Sequence, residues 1–259
     1  MIIDGIIERH RATKGTAKSG GNKKVRVFDD YVLLAGGFKE DEIQQLIKIT
    51  NELKERGVAV VPTLEYKIVY PPNELGYARG YMLQPRAAGT EIYDSNMSDA
   101  DYHKRLHDIA NMDSQKIDKF VSDWIAIEKA GLMVDPSKVS NFFYSDAGIS
   151  FIDLSVANRP QPLENYFRYA CGVLANWFEK FSTPSEINDT LQIIKNVAVC
   201  FVRHGLGISE IINVLSRRNS LSKAQIYSIA DSLTKEKQNG ATTEHIVVNH
   251  GLNSPTLTM

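Results

Sequence analysis

The apolar positions of this chain follow two different patterns, one on each side of about residue 93. In the first part, short β-branched or alternating runs bounded by Gly, Pro, Asn and Asp predict strands. One longer segment, 39–56, has its apolar residues on one helical face, with acids at its start and bases at its end, and predicts a helix. The predicted strands are 2–10, two within 25–35 around Asp29-Asp30, 58–61, 65–70 and 77–84. A mobile loop rich in Gly, Ser, Thr and Lys is predicted at 11–24, and a break in the chain at Gly36-Gly37.

After residue 93 the apolar period becomes helical. The strongest helix is predicted at 114–130, and the others at 98–110, 163–181, 185–204, 208–216 and 221–235. Between these helices, 131–155 contains two short apolar runs separated by a turn, which predicts a small β-hairpin. From about residue 236 the chain is polar and turn-rich, which predicts a flexible tail.

Composition places the chain among ordinary globular proteins, with 43% hydrophobic and 24% charged residues in 259. The net charge of −1 gives no electrostatic reason to expect a nucleic-acid partner or an anionic membrane surface. No run of 18 apolar residues occurs, so no membrane span is expected. Two cysteines without metal-site spacing, Cys171 and Cys200, predict buried thiols in a reducing compartment, and a cytoplasmic location is the expectation.

The segment 131–155, GLMVDPSKVSNFFYSDAGISFIDLS, carries the candidate chemistry. Asp135 follows a predicted helix, Asn141 follows in the same loop, and Asp153 ends the second apolar run. One carboxylate can orient a hydroxyl and accept its proton, while a second carboxylate and an amide oxygen can hold Mg²⁺. Phosphoryl transfer needs this combination of alignment and charge neutralisation.

This segment resembles the catalytic region of the protein-kinase-like superfamily, in which an H-R-D-x-x-x-x-N loop is followed by D-F-G. MVD at 133–135 corresponds to the first triplet and DLS at 153–155 to the last, and the two aspartates are 153 − 135 = 18 residues apart. The resemblance implies an α+β, two-lobed protein-kinase-like fold with a small β-rich N-lobe and a larger helical C-lobe. The implied N-lobe is 1–86, with five or six strands and helix 39–56, the C-lobe is 87–235, and the tail is 236–259.

The resemblance also implies roles for individual residues in binding ATP and Mg²⁺. Asp135 would be the catalytic base, Lys138 would contact the transferred phosphate, and Asn141 and Asp153 would hold the metal. Four further residues are implied in nucleotide binding: Gly20 and Gly21 in a loop over the phosphates, Glu52 as the helix acid, and Ala87 in the hinge that bonds to adenine.

Three departures from the family pattern limit this resemblance. Asn141 lies six residues after Asp135 instead of five, and Ser140 takes the expected position. Leu34 occupies the place of the strand lysine, so Lys23, Lys24, Arg26 or Lys67 would have to reach in from a neighbouring strand. The stretch after Asp153 has no A-P-E and little room for an activation segment, which is similar to small effector kinases that pathogenic bacteria deliver into host cells.

The expected function is ATP-dependent phosphorylation of Ser or Thr hydroxyls on a protein. Two alternatives remain open at this point. The same fold can act as a pseudokinase-like module that binds a protein partner with little or no turnover, or as a kinase of small molecules. Delivery into a host cell is the expected location if the chain is a bacterial effector.

Overall fold

The computed structural model describes residues 2–12, 18–20, 23–94, 96–157, 161–176, 183–217 and 221–250. The helices are α1 Ile2–Ala12, α2 Glu40–Glu55, α3 Asp99–Ala110, α4 Ser114–Lys129, α5 Leu163–Leu174, α6 Pro184–Arg203, α7 Ile208–Ser216 and α8 Lys223–His250. The strands are β1 Lys18–Gly20, β2 Lys23–Val27, β3 Tyr31–Phe38, β4 Glu65–Tyr70, β5 Ala78–Pro85, β6 Thr90–Glu91, β7 Leu132–Met133, β8 Phe142–Ser145, β9 Gly148–Phe151 and β10 Ser155–Val156.

An antiparallel five-stranded sheet in the order β1-β2-β3-β5-β4 forms the first half of the fold, and α2 connects β3 to β4. Helices dominate the second half, interrupted by the β8–β9 hairpin that the sequence predicts. The predicted α+β class, with a β-rich N-terminal region containing one internal helix and a helical C-terminal region, is therefore confirmed.

The first segment of the chain is a helix, so the strand predicted at 2–10 is wrong. Ile3, Ile6 and Ile7 recur at helical spacing and are buried against Leu33 and Leu83 of the sheet. The β-branched composition favoured a strand, but burial of this stripe on the sheet outweighs a propensity of less than about 1 kcal/mol per residue. Both carboxylate oxygens of Glu65 accept backbone N–H groups at the start of α1, from Ile2 at 3.3 Å and Ile3 at 3.0 Å.

Three other local predictions also differ from the structure. Residues 18–20 were expected in a loop but form β1, which pairs with β2 from Lys18↔Val25 to Gly20↔Lys23. Gly36 and Gly37 do not break the chain, because both pair with β5 inside β3. The segment 58–61 does not form a strand and makes a single parallel β-bridge, Val60↔Phe151.

The last helix continues beyond residue 236, where the sequence predicts an irregular tail. Ile226, Ile229 and Leu233 are buried along α8, and Lys235, Glu236, Lys237 and Gln238 are good helix formers that extend the helix beyond this buried stripe. The segment 236–250 is thus helical in the structure.

The chain divides into two compact units, residues 1–102 with 122–161 and residues 103–121 with 162–259. The first unit contains the sheet and the segment 131–155. In the second unit, α5, α6, α7 and α8 pack together, and the rings of Phe167 and Phe201 meet edge to face at 5.6 Å. The lobe boundary that the resemblance implies, at residue 86, stays a prediction.

Packing of α1 makes a direct prediction about stability. Ile3→Ala removes a side chain that is 0% exposed and should lower the free energy of unfolding by about 2–5 kcal/mol. Ile2→Ala changes a neighbouring side chain that is 52% exposed and should cost no more than about 0.5 kcal/mol. Urea unfolding of both variants measures the difference, and equal costs would contradict the packing of α1 on the sheet.

Candidate functional site

Two strand pairings bring Asp135, Asn141 and Asp153 together within the first unit. β7 pairs with β10 through Met133↔Ser155, and each aspartate lies two residues beyond that pair, at the same end of it. β8 pairs with β9 through Phe142↔Phe151, which places Asn141 opposite Ile152. The amide of Ile152 donates to the carbonyl of Asn141 at 2.9 Å and completes this arrangement.

Asp135 begins a tight loop that its own side chain organises. Oδ1 accepts from the backbone N–H of Ser137 at 3.0 Å and from the Ser137 hydroxyl at 2.6 Å. Nζ of Lys138 lies 3.5 Å from Oδ2. Partial burial acts to raise the pKa of Asp135, but the two Ser137 hydrogen bonds and the Lys138 charge outweigh it and hold the pKa below its ordinary value of 3.8.

The side-chain amide of Asn141 contacts the backbone of Asp135. A short 3-10 turn, Val139–Asn141, absorbs the additional residue noted in the sequence. The Asn141 side chain is only 4% exposed, and its Nδ2 donates to the backbone carbonyl of Asp135 at 3.3 Å. With nitrogen and oxygen assigned from that bond, Oδ1 is the atom that remains for a cation. Of Ser140 and Asn141, the latter makes this contact.

Asp153 follows β9 in a backbone conformation that non-glycine residues rarely adopt. Its φ is +50°, and Asn176 is the other non-glycine residue with positive φ in the described part of the chain. Asp tolerates this region better than most residues, but the conformation still costs free energy. Residues in such conformations cluster at functional sites. The conformation turns the chain between β9 and β10, so that Asp153 lies at the sharp bend beside the Asp135 loop.

The hairpin that supports these residues is bonded to the segment after α2. The amide of Phe151 donates to the carbonyl of Ala59 at 2.8 Å, and its carbonyl accepts from Val61 at 3.0 Å. The buried carboxylate of Asp123 accepts from the amide of Ala59 at 2.9 Å. Trp124 packs on the hairpin, with its ring centroid 5.3 Å from Phe142 and 5.8 Å from Phe151.

The predicted hinge leads directly from the sheet to the same hairpin. Ala87 is half-buried in the loop between β5 and β6, and β6 pairs with β8 through Thr90↔Tyr144. Gly89 has φ +88°, and a Cβ placed there would lie 2.0 Å from the carbonyl oxygen of Tyr144. Only glycine allows this close approach, which explains the residue at this position.

The strand position expected to hold a lysine is apolar. Leu34 is 7% exposed and pairs with Val25 on one side and Met82 on the other. A buried leucine offers no charge or donor to a phosphate. The departure noted in the sequence is therefore not compensated at Leu34 itself.

Three of the four basic residues considered as substitutes lie on the opposite face of the sheet from Leu34. Lys24 pairs with Ala35, Arg26 with Leu33, and Lys67 with Tyr81, all on the face that α1 covers. Lys67 forms an ion pair with Asp4 of α1. The backbone of the remaining candidate, Lys23, pairs with Gly36 of β3.

Glu52 and Gly20, which the resemblance implies in nucleotide binding, lie on α2 and at the end of β1. Glu52 is exposed, and it is nine residues from buried Ile43, which is half a turn around the helix. Gly20 pairs with Lys23 of β2. Gly21 lies outside the described residues.

Ser137 is the residue of the site that the sequence interpretation missed. The signal was present, because Asp-Pro-Ser places a hydroxyl and an amide two residues after a carboxylate, the spacing of a local side-chain-to-backbone turn.

Within the described residues, no three His, Cys, Asp or Glu side chains form a metal-ligand group, and no described helix is long and apolar enough to span a membrane.

Comparisons with known proteins find only remote similarity, to solved structures. No family model matches the chain, and no curated protein matches it. A kinase of Cydia pomonella granulovirus, PK-1, is 8% identical with a TM-score of 0.41, over 89% of this chain and 90% of that one. The pseudokinase DRIK1 (drought responsive inactive kinase 1), bound to ENMD-2076, is 12% identical with a TM-score of 0.37, over 85% and 89%.

A chain of the Neurospora crassa complex of PAN2 (WD40-CS1) with PAN3 (pseudokinase and C-term) is 9% identical with a TM-score of 0.40, over 95% of this chain and 71% of that one. The three neighbours are thus described as protein kinases or pseudokinases. At TM-scores below 0.5 and identities of 12% or less, they carry no argument about the family or the activity of this chain, and the protein-kinase-like resemblance rests on the residues of 131–155.

The close approach at Gly89 predicts an unequal cost for two glycine substitutions. Gly57→Ala adds a methyl group where nothing lies within 4 Å, so it should cost only the positive-φ penalty of about 1–2 kcal/mol. Gly89→Ala meets the same penalty and also the Tyr144 carbonyl, so its cost should be clearly larger. Thermal unfolding of both variants checks this, and equal losses would show that β6 does not approach β8 as described.

The lowered pKa of Asp135 predicts the sign of a pH dependence. A carboxyl whose pKa is lower in the folded than in the unfolded chain stabilises the fold when the pH is above its unfolded pKa. This stabilisation is lost as the pH falls through the pKa of the folded chain. The difference in free energy of unfolding between wild type and Asp135→Asn should therefore be constant above about pH 5 and should shrink as the pH falls below 3.8. Urea unfolding across this range measures it, and a difference that widens toward acid would contradict the lowered pKa.

Proposed function

We propose that this protein is a magnesium- and ATP-dependent phosphotransferase that acts on a Ser or Thr hydroxyl of a protein. The observation that carries the proposal is the Met133↔Ser155 pair, which brings Asp135 and Asp153 to one place together with Asn141. Each of the three has the chemistry that one part of phosphoryl transfer requires, and the pairings that place them are independent of any ligand.

The metal side of the proposal depends on Asp153 and Asn141. Mg²⁺ prefers hard oxygen ligands, commonly one or two from the protein, and completes its octahedron with water and phosphate oxygens. The carboxylate of Asp153 and Oδ1 of Asn141 fit this donor set. Bound Mg²⁺ would neutralise charge on the phosphates, and ATP would be held by Gly20 and Gly21 and at the Ala87 backbone.

The acceptor side depends on Asp135 and Lys138. Asp135 is exposed enough to meet an incoming hydroxyl, since 42% of its side chain is accessible, and its lowered pKa keeps it ionised at neutral pH. It would orient the hydroxyl and accept its proton. The ammonium group of Lys138, which lies beside Oδ2 of Asp135, would stabilise the negative charge of the transferred phosphoryl group.

A second function, a protein-binding module with little turnover, is favoured by Leu34 and Glu52. The first is buried and apolar where a phosphate-binding cation is expected, and the second points away from the buried face of α2. Without that cation, the α- and β-phosphates lose a charged contact, and the rate of transfer falls. Asp153 and Asn141 still suffice for a magnesium nucleotide in such a module.

The proposal predicts that the two aspartates can be separated by experiment. Asp153→Ala should abolish both the rise in melting temperature on addition of Mg·ATP and the transfer of radiolabelled phosphate to a mixed protein substrate. Asp135→Ala should keep most of the rise in melting temperature but lower transfer by about 10²-fold or more, because only the base is removed. Thermal shift and label incorporation are measured on the same samples.

Asp29→Ala, in the exposed bend between β2 and β3, is the matched control and should leave both readouts unchanged. Absence of both stabilisation and label transfer in the wild type at millimolar Mg·ATP would refute the phosphotransferase. Stabilisation that requires Asp153, without any transfer, would establish the binding module instead.

A further inference from the structure

The hydroxyl of Ser137 is in direct contact with Asp135, the proposed base. Ser137 is exposed and lies two residues after Asp135, in the loop that leads to Asn141. Its Oγ donates to Oδ1 of Asp135 at 2.6 Å, while its backbone N–H donates to the same oxygen at 3.0 Å. The backbone bond alone would close the turn, so the hydroxyl contact is additional to what the loop needs.

The contact satisfies the geometric requirement for proton transfer. A general base must lie about 2.6–3.2 Å from the atom whose proton it removes, and the Ser137 hydroxyl is within that distance of the proposed base. Nζ of Lys138 lies 3.5 Å from the other oxygen of Asp135, which leaves Oδ1 facing the hydroxyl and places a cation beside the loop. Base, acceptor and cation are consecutive parts of one short loop.

We propose that Ser137 is a phosphate acceptor, so that the protein phosphorylates its own loop when a magnesium nucleoside triphosphate is bound. The inference depends on the proposed function, because it assigns a substrate to the same site. In the step, Oγ of Ser137 attacks the γ-phosphorus and its proton passes to Asp135. The bond from that phosphorus to the β–γ bridging oxygen breaks, the nucleoside diphosphate leaves, and Asp135 then releases the proton to water.

The product would change the site that made it. A phosphate on Ser137 carries about −1.5 to −2 charges at neutral pH, beside the carboxylate of Asp135 and the ammonium of Lys138. It would repel Asp135, attract Lys138 and fill the space that another hydroxyl needs. Modification of Ser137 would therefore slow transfer to any external acceptor.

The test uses the full chain with Mg·ATP and maps phosphate by peptide mass spectrometry, before and after incubation. Wild type should gain phosphate at Ser137, Ser137→Thr should gain it at the new hydroxyl, and Ser137→Ala should lose it. Asp135→Asn should slow incorporation by about 10²-fold or more. Ser145→Ala is the matched control, because that hydroxyl donates to the carbonyl of Gly148 at 3.3 Å within the hairpin turn, away from Asp135.

The rate of incorporation per chain should not change when the protein is diluted, because base and acceptor belong to the same loop. A rate that falls on dilution would overturn the intrachain step. Transfer to a mixed protein substrate with no phosphate at Ser137 would overturn this inference and leave the proposed function standing. Absence of stabilisation by Mg·ATP together with absence of all transfer would overturn both.

Discussion

The candidate site depends on the backbone pairing of Phe151 with the segment that follows α2. The amide and carbonyl of Phe151 bond to Ala59 and Val61, and Asp123 holds the amide of Ala59 from α4. These bonds connect the β8–β9 hairpin to the part of the chain that continues into the five-stranded sheet. Phe142 and Phe151 bury their rings against Trp124, which adds the apolar contact that backbone bonds alone do not supply.

The hairpin in turn determines where the polar groups of the site lie. Asn141 precedes β8 and Asp153 follows β9, so closing the hairpin brings the two together, and the β7–β10 pair adds Asp135. Each polar group stands at or within two residues of the end of a strand or turn, and the carbonyl of Asn141 accepts from the amide of Ile152.

The site and the sheet differ in how fully they meet the demands of phosphoryl transfer. The loops that contain Asp135, Asn141 and Asp153 offer a proposed base, an amide oxygen and a carboxylate for a metal. The sheet has Leu34 at the position of the expected cation. Lys67 is on the face of the sheet that α1 covers, where it pairs with Asp4. The helix at 2–12, which the sequence predicted as a strand, therefore pairs with a cation on the face of the sheet opposite Leu34.

The sequence by itself determined the helices with strong apolar stripes and the β8–β9 hairpin, because local periodicity carries that information. The pair Asp135 and Asp153 stays a prediction that depends on their spacing. The sequence could not separate helix from strand at 2–10, since Ile3, Ile6 and Ile7 suit either until Leu33 and Leu83 are in place. It could not orient Glu52 or Lys67 either, because the side of a helix or sheet that meets a site depends on strand register and packing. The contact of Ser137 with Asp135 likewise required the folded loop, since only closure of the turn brings the hydroxyl to the carboxylate.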